Sequence, residues 1–392
     1  MVLEDTKFSS QDTDALEMEA LEKDSLNKQR MQEVLLSLLY GMGDSRIRAA
    51  HQIRKLTKSS AKCRAYFAAA GVIIPLVSML KSSAMDVKEA ALLALLNLAV
   101  RNERNKVRIV KAGALNPLVE LMQSEDANLR ESAAAAILTL SASTLNKSVI
   151  GASGSTPLLV EMLTGGSLQG KVDAVMALYN LSTLRENLVP ILAAGACAPL
   201  ILLLKECKKS SKVAEKIIAL LEALMDFEEG RSSILKEEGG LLAIVEVLEE
   251  GSVKGREHAV GALLTMCQSN RCKYRDYILQ EGVIPGLLEL TVQGTSQAQE
   301  KARKLLELLR DSPSRQRAGS PASASAMLQS IAYDIAAHVD NAEAGTGSAK
   351  KMLTEMVQLS MEQSMRHLQQ RARACGSADL PVAARAAKVL SK

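Results

Sequence analysis

"KAGALNPLVELMQ", residues 111–123, reads as a helix interrupted twice, by Gly113 and Pro117. A near copy, "AAGVIIPLVSML", stands at 69–80. In a helix interior Gly costs about 1 kcal/mol and Pro about 3 kcal/mol relative to Ala. At a junction both residues are suited to their places. A glycine adopts the left-handed conformation that ends a helix. A proline tolerates the first turn, where its missing N–H has no intrahelical role. The stretch is therefore predicted to be a corner, with "NKVRIVKAG" ending at Gly113 and a second helix starting near Pro117.

The corner recurs. Gly71, Gly113, Gly154, Gly195, Gly239 and Gly282 are spaced by 42, 41, 41, 44 and 43 residues. After each glycine, apolar residues fall on one helical face. Examples are Ile73, Leu76, Val77 and Leu80, then Leu115, Leu118, Val119 and Met122, then Leu241, Ile244, Val245 and Leu248. Pro75, Pro117, Pro157, Pro199 and Pro285 are expected in the first turn of these helices. A further helix follows in each unit with the pattern Ala-x-x-Ala-(Leu/Ile)-x-x-(Leu/Met). It is carried by Ala91, Ala94, Leu95 and Leu98, by Ala133, Ala136, Ile137 and Leu140, by Ala174, Ala177, Leu178 and Leu181, and by Ala259, Ala262, Leu263 and Met266. Small alanines permit close helix approach, and the larger residues fill the gaps. No single unit buries its apolar faces alone, whereas stacked units do. "SRIRAAHQIRKL" marks an earlier unit, and "QEKARKLLELLRDS" returns charge at the far end, as a terminal unit requires. The expected count is about seven units, the first and last incomplete.

Composition agrees with a helical stack. Of 392 residues, 47% are apolar but only 2% aromatic, with no Trp, so the core must be aliphatic. Net charge is +4, from 48 basic and 44 acidic residues, too balanced for a dedicated nucleic-acid binder. Cys63, Cys197, Cys207, Cys267, Cys272 and Cys375 show no C-x-x-C pair and no histidine at ligand spacing, so they are expected to be reduced thiols without metal. The N-terminus lacks the basic and apolar regions of a signal peptide. "LVPILAAGACAPLILLL", 188–204, is uncharged, but Pro190, Gly195 and Pro199 divide it, so no membrane span is expected.

The three-helix pattern, with its "A-G" or "E-G-G" corners and "P-L-V-x-L-L" helices, resembles the armadillo repeat. "KEEGGLLAIVEVLEEGSVKGREHAVGALLTMCQ" and "EGVIPGLLELTVQGTSQAQEKARKLLELLR" look like the C-terminal arrays of plant U-box proteins, over roughly residues 31–310. The resemblance implies an all-α, right-handed armadillo-type α-solenoid of three-helix repeats whose third helices line a concave groove. Residues 1–30 are acidic and polar, with no "C-P-I" opening. The chain is therefore expected to match an armadillo-only relative without ligase activity.

In that family an Asn on the third helix grips the backbone of an extended peptide. The equivalent register gives Lys55, Asn97, Thr139, Asn180 and Thr265, with Glu222 by a slipped alignment. Asn97 and Asn180 match the expected type. An amide can donate to a C=O and accept from an N–H together. Each of these residues also reads as a merely solvated or helix-capping polar group. Arg48, Lys55 and Arg101 precede Asp173, Glu215, Glu222 and Asp226, so the face is read either as a groove basic first and acidic later, or as a solvated surface. No tryptophans accompany the asparagines, so basic nuclear-import peptides are not expected ligands.

Periodicity stops at "RDSPSRQRAGSPASASA". Residues 311–326 read as a Pro/Ser/Arg-rich linker, with Ser312 and Ser320 before prolines as candidate phosphorylation sites. The tail, 327–392, holds two amphipathic patches. In "KKMLTEMVQLSMEQSMRHLQQRARA", 350–374, Leu353, Val357, Met361, Met365 and Leu368 form a stripe. It reads as a helix folded on the solenoid or pairing with another, as a partner-binding helix, or, from its basic residues, as a calmodulin or anionic-membrane contact. No phosphate loop, nucleophile elbow or clustered histidine set is found, and "GASGSTP", 151–157, is a repeat corner. No cofactor is expected. The leading expectation is a non-enzymatic scaffold for a protein or extended peptide, in cytoplasm or nucleus. Two alternatives stay open: a substrate receptor or regulator in a ubiquitin-ligase pathway, and a membrane-surface adaptor.

Overall fold

The computed structural model describes residues 26–310. Helix α1 runs through 26–40, so helix is already present within residues 1–30, the segment read as acidic and polar. It precedes α2 (Asp44–Thr57). Then come α3 (Ala61–Ala69), α4 (Ile73–Met79) and α5 (Met85–Ala99), followed by α6 (Glu103–Lys111), α7 (Leu115–Met122) and α8 (Ala127–Ser141). The next unit is η1 (Thr144–Asn146) with α9 (Lys147–Gly151), then α10 (Ser155–Gly165) and α11 (Leu168–Ser182). It is followed by η2 (Arg185–Asn187) with α12 (Leu188–Ala193), α13 (Cys197–Glu206) and α14 (Lys212–Leu224). The last two triplets are α15 (Glu228–Lys236), α16 (Gly240–Glu250) and α17 (Val253–Ser269), then α18 (Arg271–Gln280), α19 (Ile284–Gln293) and α20 (Ser296–Leu309). The described residues contain no strand. Among the described residues the final repeat has all three helices, and the first shows two. The expected incomplete last repeat is thus corrected, because "EGVIPGLLELTVQG" supplies a full second helix after α18.

All six register glycines have positive φ: 86° at Gly71, 85° at Gly113, 83° at Gly154, 74° at Gly195, 68° at Gly239 and 77° at Gly282. A Cβ on Gly113 would meet no atom within 4 Å, so conformation and not crowding requires the glycine there. The prolines fall at the second or third residue of the following helices. Helix starts are fixed by side chains that accept from backbone N–H groups: Ser60, Asn102, Asp126, Ser167, Ser211, Asn270 and Thr295. "GASGSTP" is the α9–α10 corner, with Gly154 before Ser155.

The described residues fall into two compact units divided between Ala262 and Leu263. In the first, the third helices pack side by side in the order α2, α5, α8, α11, α14, and the second helices α7, α10, α13 and α16 form a parallel series. Ala91, Ala94, Leu98, Ala133, Ile137, Ala174, Ala177, Leu178 and Leu181 are fully or almost fully buried, as the pattern requires. Burying each such Leu contributes about 1.5–3 kcal/mol. In the second unit α18 and α19 both pack on α20. Arg275 Nε donates to the Leu309 carbonyl at 2.8 Å and Arg271 to that of Leu308, so the C-terminal carbonyls of α20 are capped by its own unit.

The uncharged 188–204 stretch is two helices bent by 87° about Gly195. Among the described residues no single helix is long and apolar enough to cross a membrane. Cys63, Cys197, Cys207, Cys267 and Cys272 carry free thiols. Burial pushes the Cys197 thiol up to about 11, away from nucleophilic reactivity. Cys375, Ser312, Ser320 and the 350–374 stripe lie outside the described residues.

Candidate functional site: the exposed face of the third helices

The layer formed by α2, α5, α8, α11 and α14 presents one edge outward, and the residues singled out in the first unit fall on it. Lys55 is exposed on α2, Asn97 half-buried on α5, Thr139 half-buried on α8, Asn180 half-buried on α11 and Glu222 half-buried on α14. Thr265, half-buried on α17, belongs to the second unit. Arg101 is exposed just past α5, with φ 51°, the one non-glycine with positive φ among the described residues.

Asn97 and Asn180 make the same bond in their respective repeats. Asn97 Nδ2 donates to the Arg54 carbonyl of α2 at 2.8 Å. Asn180 Nδ2 donates to the Leu138 carbonyl of α8 at 3.5 Å and to Ser141 Oγ at 3.2 Å. Each amide thus stitches its helix to the C-terminal end of the preceding third helix. A primary amide has two N–H groups and a carbonyl. Oδ1 of Asn97 and of Asn180 meets no protein donor among the described residues. Thr139 differs: its hydroxyl bonds back to the Ala135 carbonyl of its own helix at 2.8 Å.

The charges split by region. Arg48, His51, Arg54, Lys55 and Lys58 are exposed on or beside α2, and among the described residues none of their side chains has a hydrogen-bonded or ionic partner. His51, Arg54, Lys55 and Lys58 line, with Asn97, a cleft of about 340 Å³. The acidic residues of the middle repeats are engaged. Glu222 Oε2 lies 2.6 Å from His258 Nδ1 on α17. Glu215 accepts from Ser252 Oγ at 2.8 Å and pairs with Lys216 at 3.4 Å. Asp226 is 3.9 Å from Arg185, and Asp173 accepts from Gln169 at 2.8 Å. Burial works to raise the Glu215 pKa, but the Ser252 hydroxyl and the Lys216 ammonium outweigh it, so the carboxyl lies below its ordinary value. Asp173 is shifted the other way, raised first by burial, against the Gln169 bond and with the Glu131 charge.

A second polar series was missed by sequence reasoning. Asn105, Asn146 and Asn187 are 2%, 2% and 4% exposed. Asn105 Nδ2 donates to the Leu98 and Arg64 carbonyls at 2.9 and 3.1 Å, Asn146 to Leu140 at 3.1 Å, and Asn187 to Leu181 and Lys147 at 3.0 and 3.1 Å. They hold the ends of α5, α8 and α11 to the start of the following repeat. Their signal was present: each stands eight residues before a corner glycine. A related stitch joins Glu131 to Ser167 and Glu215 to Ser252, where the serine also accepts from Gly170 or Gly255.

A regular stack of left-handed glycine corners and Ala-rich third helices is the armadillo architecture, and comparison with known proteins narrows it. The model of the plant U-box protein ARM repeat region matches residues 51–318. The chain belongs to that family. U-box domain-containing protein 45 of Arabidopsis thaliana is 31% identical over 67% of this chain and 34% of its own length. U-box domain-containing protein 17 of the same plant is 32% identical over 71% of this chain and 38% of its own. This member of the ARM repeat family therefore spans little more than a third of the length of these two relatives. A designed armadillo repeat protein in complex with peptide (KR)4 superposes with a TM-score of 0.51 at 23% identity, over 61% of this chain and 99% of that one. That likeness supports the all-α armadillo fold.

Proposed function

We propose that this chain is a non-enzymatic interaction scaffold that holds an extended peptide or protein segment along the exposed face of its third helices, the concave side of an armadillo array. The observation that carries the reading is the repeated environment of Asn97 and Asn180. Each is fixed by a bond to a neighbouring helix and keeps an amide carbonyl for a chain running across the stack. Fixing the amide beforehand lowers the ordering cost of binding. That an armadillo protein has been solved with a peptide, (KR)4, supports the mode of use, not the choice of peptide.

The test is selection of binding peptides from a random library on the full chain, followed by titration of the best. Asn97→Ala with Asn180→Ala is expected to weaken them about tenfold or more while the chain, though less stable by the two lost inter-helix bonds, stays fully folded by circular dichroism at the assay temperature. Retained affinity would remove the asparagines from the site. A second reading, a substrate receptor or regulator in a ubiquitin-ligase pathway, is favoured by the U-box relatives. Autoubiquitination by this chain with purified activating and conjugating enzymes would overturn the non-enzymatic assignment.

A further inference from the structure

The α2–α5 cleft has a character of its own within this face. Arg54, Lys55 and Lys58 gather three cations at the C-terminal end of α2, with His51 one turn back. A helix C-terminus favours cations, so helix stability alone could account for one or two of them. The other third helices argue against that as the whole cause: α5, α8, α11 and α14 have no basic residue in the last turn. The acids of the two helices, Asp44, Asp86 and Glu89, stand near the opposite ends. Glu89 is eight residues from Asn97, about 12 Å along the axis. That exceeds a Debye length of about 8 Å at physiological salt. The cleft therefore holds unneutralised positive charge beside an amide that is already oriented.

We infer that the cleft between α2 and α5 is an acid-selective subsite, taking the carboxylate side chains of an extended acidic peptide segment of a partner protein while Asn97 reads its backbone. This rests on the proposed peptide-binding role of the face. Carboxylates meet Arg54, Lys55 and Lys58, and Asn97 Oδ1 accepts from a peptide N–H. Nucleic acid fits less well. Three cations neutralise about three phosphates, giving weak binding, and a phosphate backbone offers no N–H to Asn97. The cleft also has no aromatic ring apart from His51 on which a base could stack.

The experiment uses the full chain and fluorescein-labelled twelve-residue peptides of alternating Glu and Ala, or Lys and Ala, read by anisotropy in 0.15 M salt. The Glu peptide is expected to bind and the Lys peptide not to. Lys55→Glu with Lys58→Glu should cost about tenfold or more, Asn97→Ala about fivefold, and Asn180→Ala, outside the cleft, less than about twofold. Equal binding of both peptides, or indifference to the charge reversals, would overturn the inference. So would tighter binding of a twelve-nucleotide oligothymidylate, in favour of nucleic acid. If Glu17→Gln, Glu19→Gln and Glu22→Gln together are needed before the Glu peptide binds, the cleft is occupied by the chain's own acidic N-terminal residues and the partner assignment falls. Library peptides that depend on Asn180 while the Glu peptide fails would sink the acid preference and leave the peptide-binding role of the face standing.

Discussion

Helices α2 and α14 occupy the same slot in two repeats of one unit, yet the charged residues singled out at each have opposite employment. On α14, Glu215 and Glu222 are bonded to Ser252 and His258 of the next repeat, and Lys216 lies 4.2 Å from the Tyr179 ring centre. On α2 and at its C-cap, the side chains of Arg48, Lys55 and Lys58 engage nothing among the described residues. A charge tallied along a sequence is not a charge available at a surface. The apparent gradient, basic first and acidic later, is in the structure a contrast between open cations and carboxylates already joined to neighbours. A partner therefore meets more of the first region's charge than of the second's.

The contrast can be tested by removing groups of each kind. The largest loss is expected for a fully enclosed stitch. Asn105→Ala leaves the Leu98 and Arg64 carbonyls without their donor and should cost about 3 kcal/mol in urea unfolding. A loss below about 1 kcal/mol would mean that water replaces the amide and that the buried series is not structural. Next comes the corner between helices. Gly113→Ala has room for its methyl group but must hold a φ of 85°, a cost of about 1–2 kcal/mol in the same measurement.

Smaller effects separate α14 from α2 directly. Because the folded-state pKa of Glu215 is depressed, its contribution is present above the ordinary carboxylate range and is lost as pH falls through the depressed value. Glu215→Gln should thus be less stable than wild type at pH 7, by under about 1 kcal/mol, and the difference should close in acid. A difference independent of pH would show that the Ser252 bond acts without the charge. Smallest of all, Lys55→Ala should change stability by less than about 0.5 kcal/mol. A loss as large as that of Glu215→Gln would mean that α2 is bonded as α14 is, and the comparison would collapse.

Much of the fold was legible before any coordinates, and for a definite reason. A glycine with positive φ and a proline in a first turn are local requirements, so Gly71, Gly113, Gly154, Gly195, Gly239 and Gly282 announced six corners by spacing alone. The Ala-x-x-Ala-Leu-x-x-Leu face is likewise a property of one helix, and its residues proved to be buried. The polar residues were less readable. Asn97 and Asn105 are the same residue type eight positions apart. One lies at the surface with a carbonyl to spare, and the other is enclosed with its amide committed to two backbone carbonyls. Sequence periodicity marks both, at offsets that differ only by their distance from the glycine.

What the sequence determined by itself was the repeating unit: its length, its corners and which faces are apolar, because these follow from the backbone preferences and periodicity of single helices. What only the tertiary structure decided was the state of particular charged groups, open at Arg48, Lys55 and Lys58 and spent at Glu215 and Glu222. Whether a side chain is satisfied depends on atoms about 40 residues away in the chain, brought within 3 Å by stacking, and no local pattern records that distance.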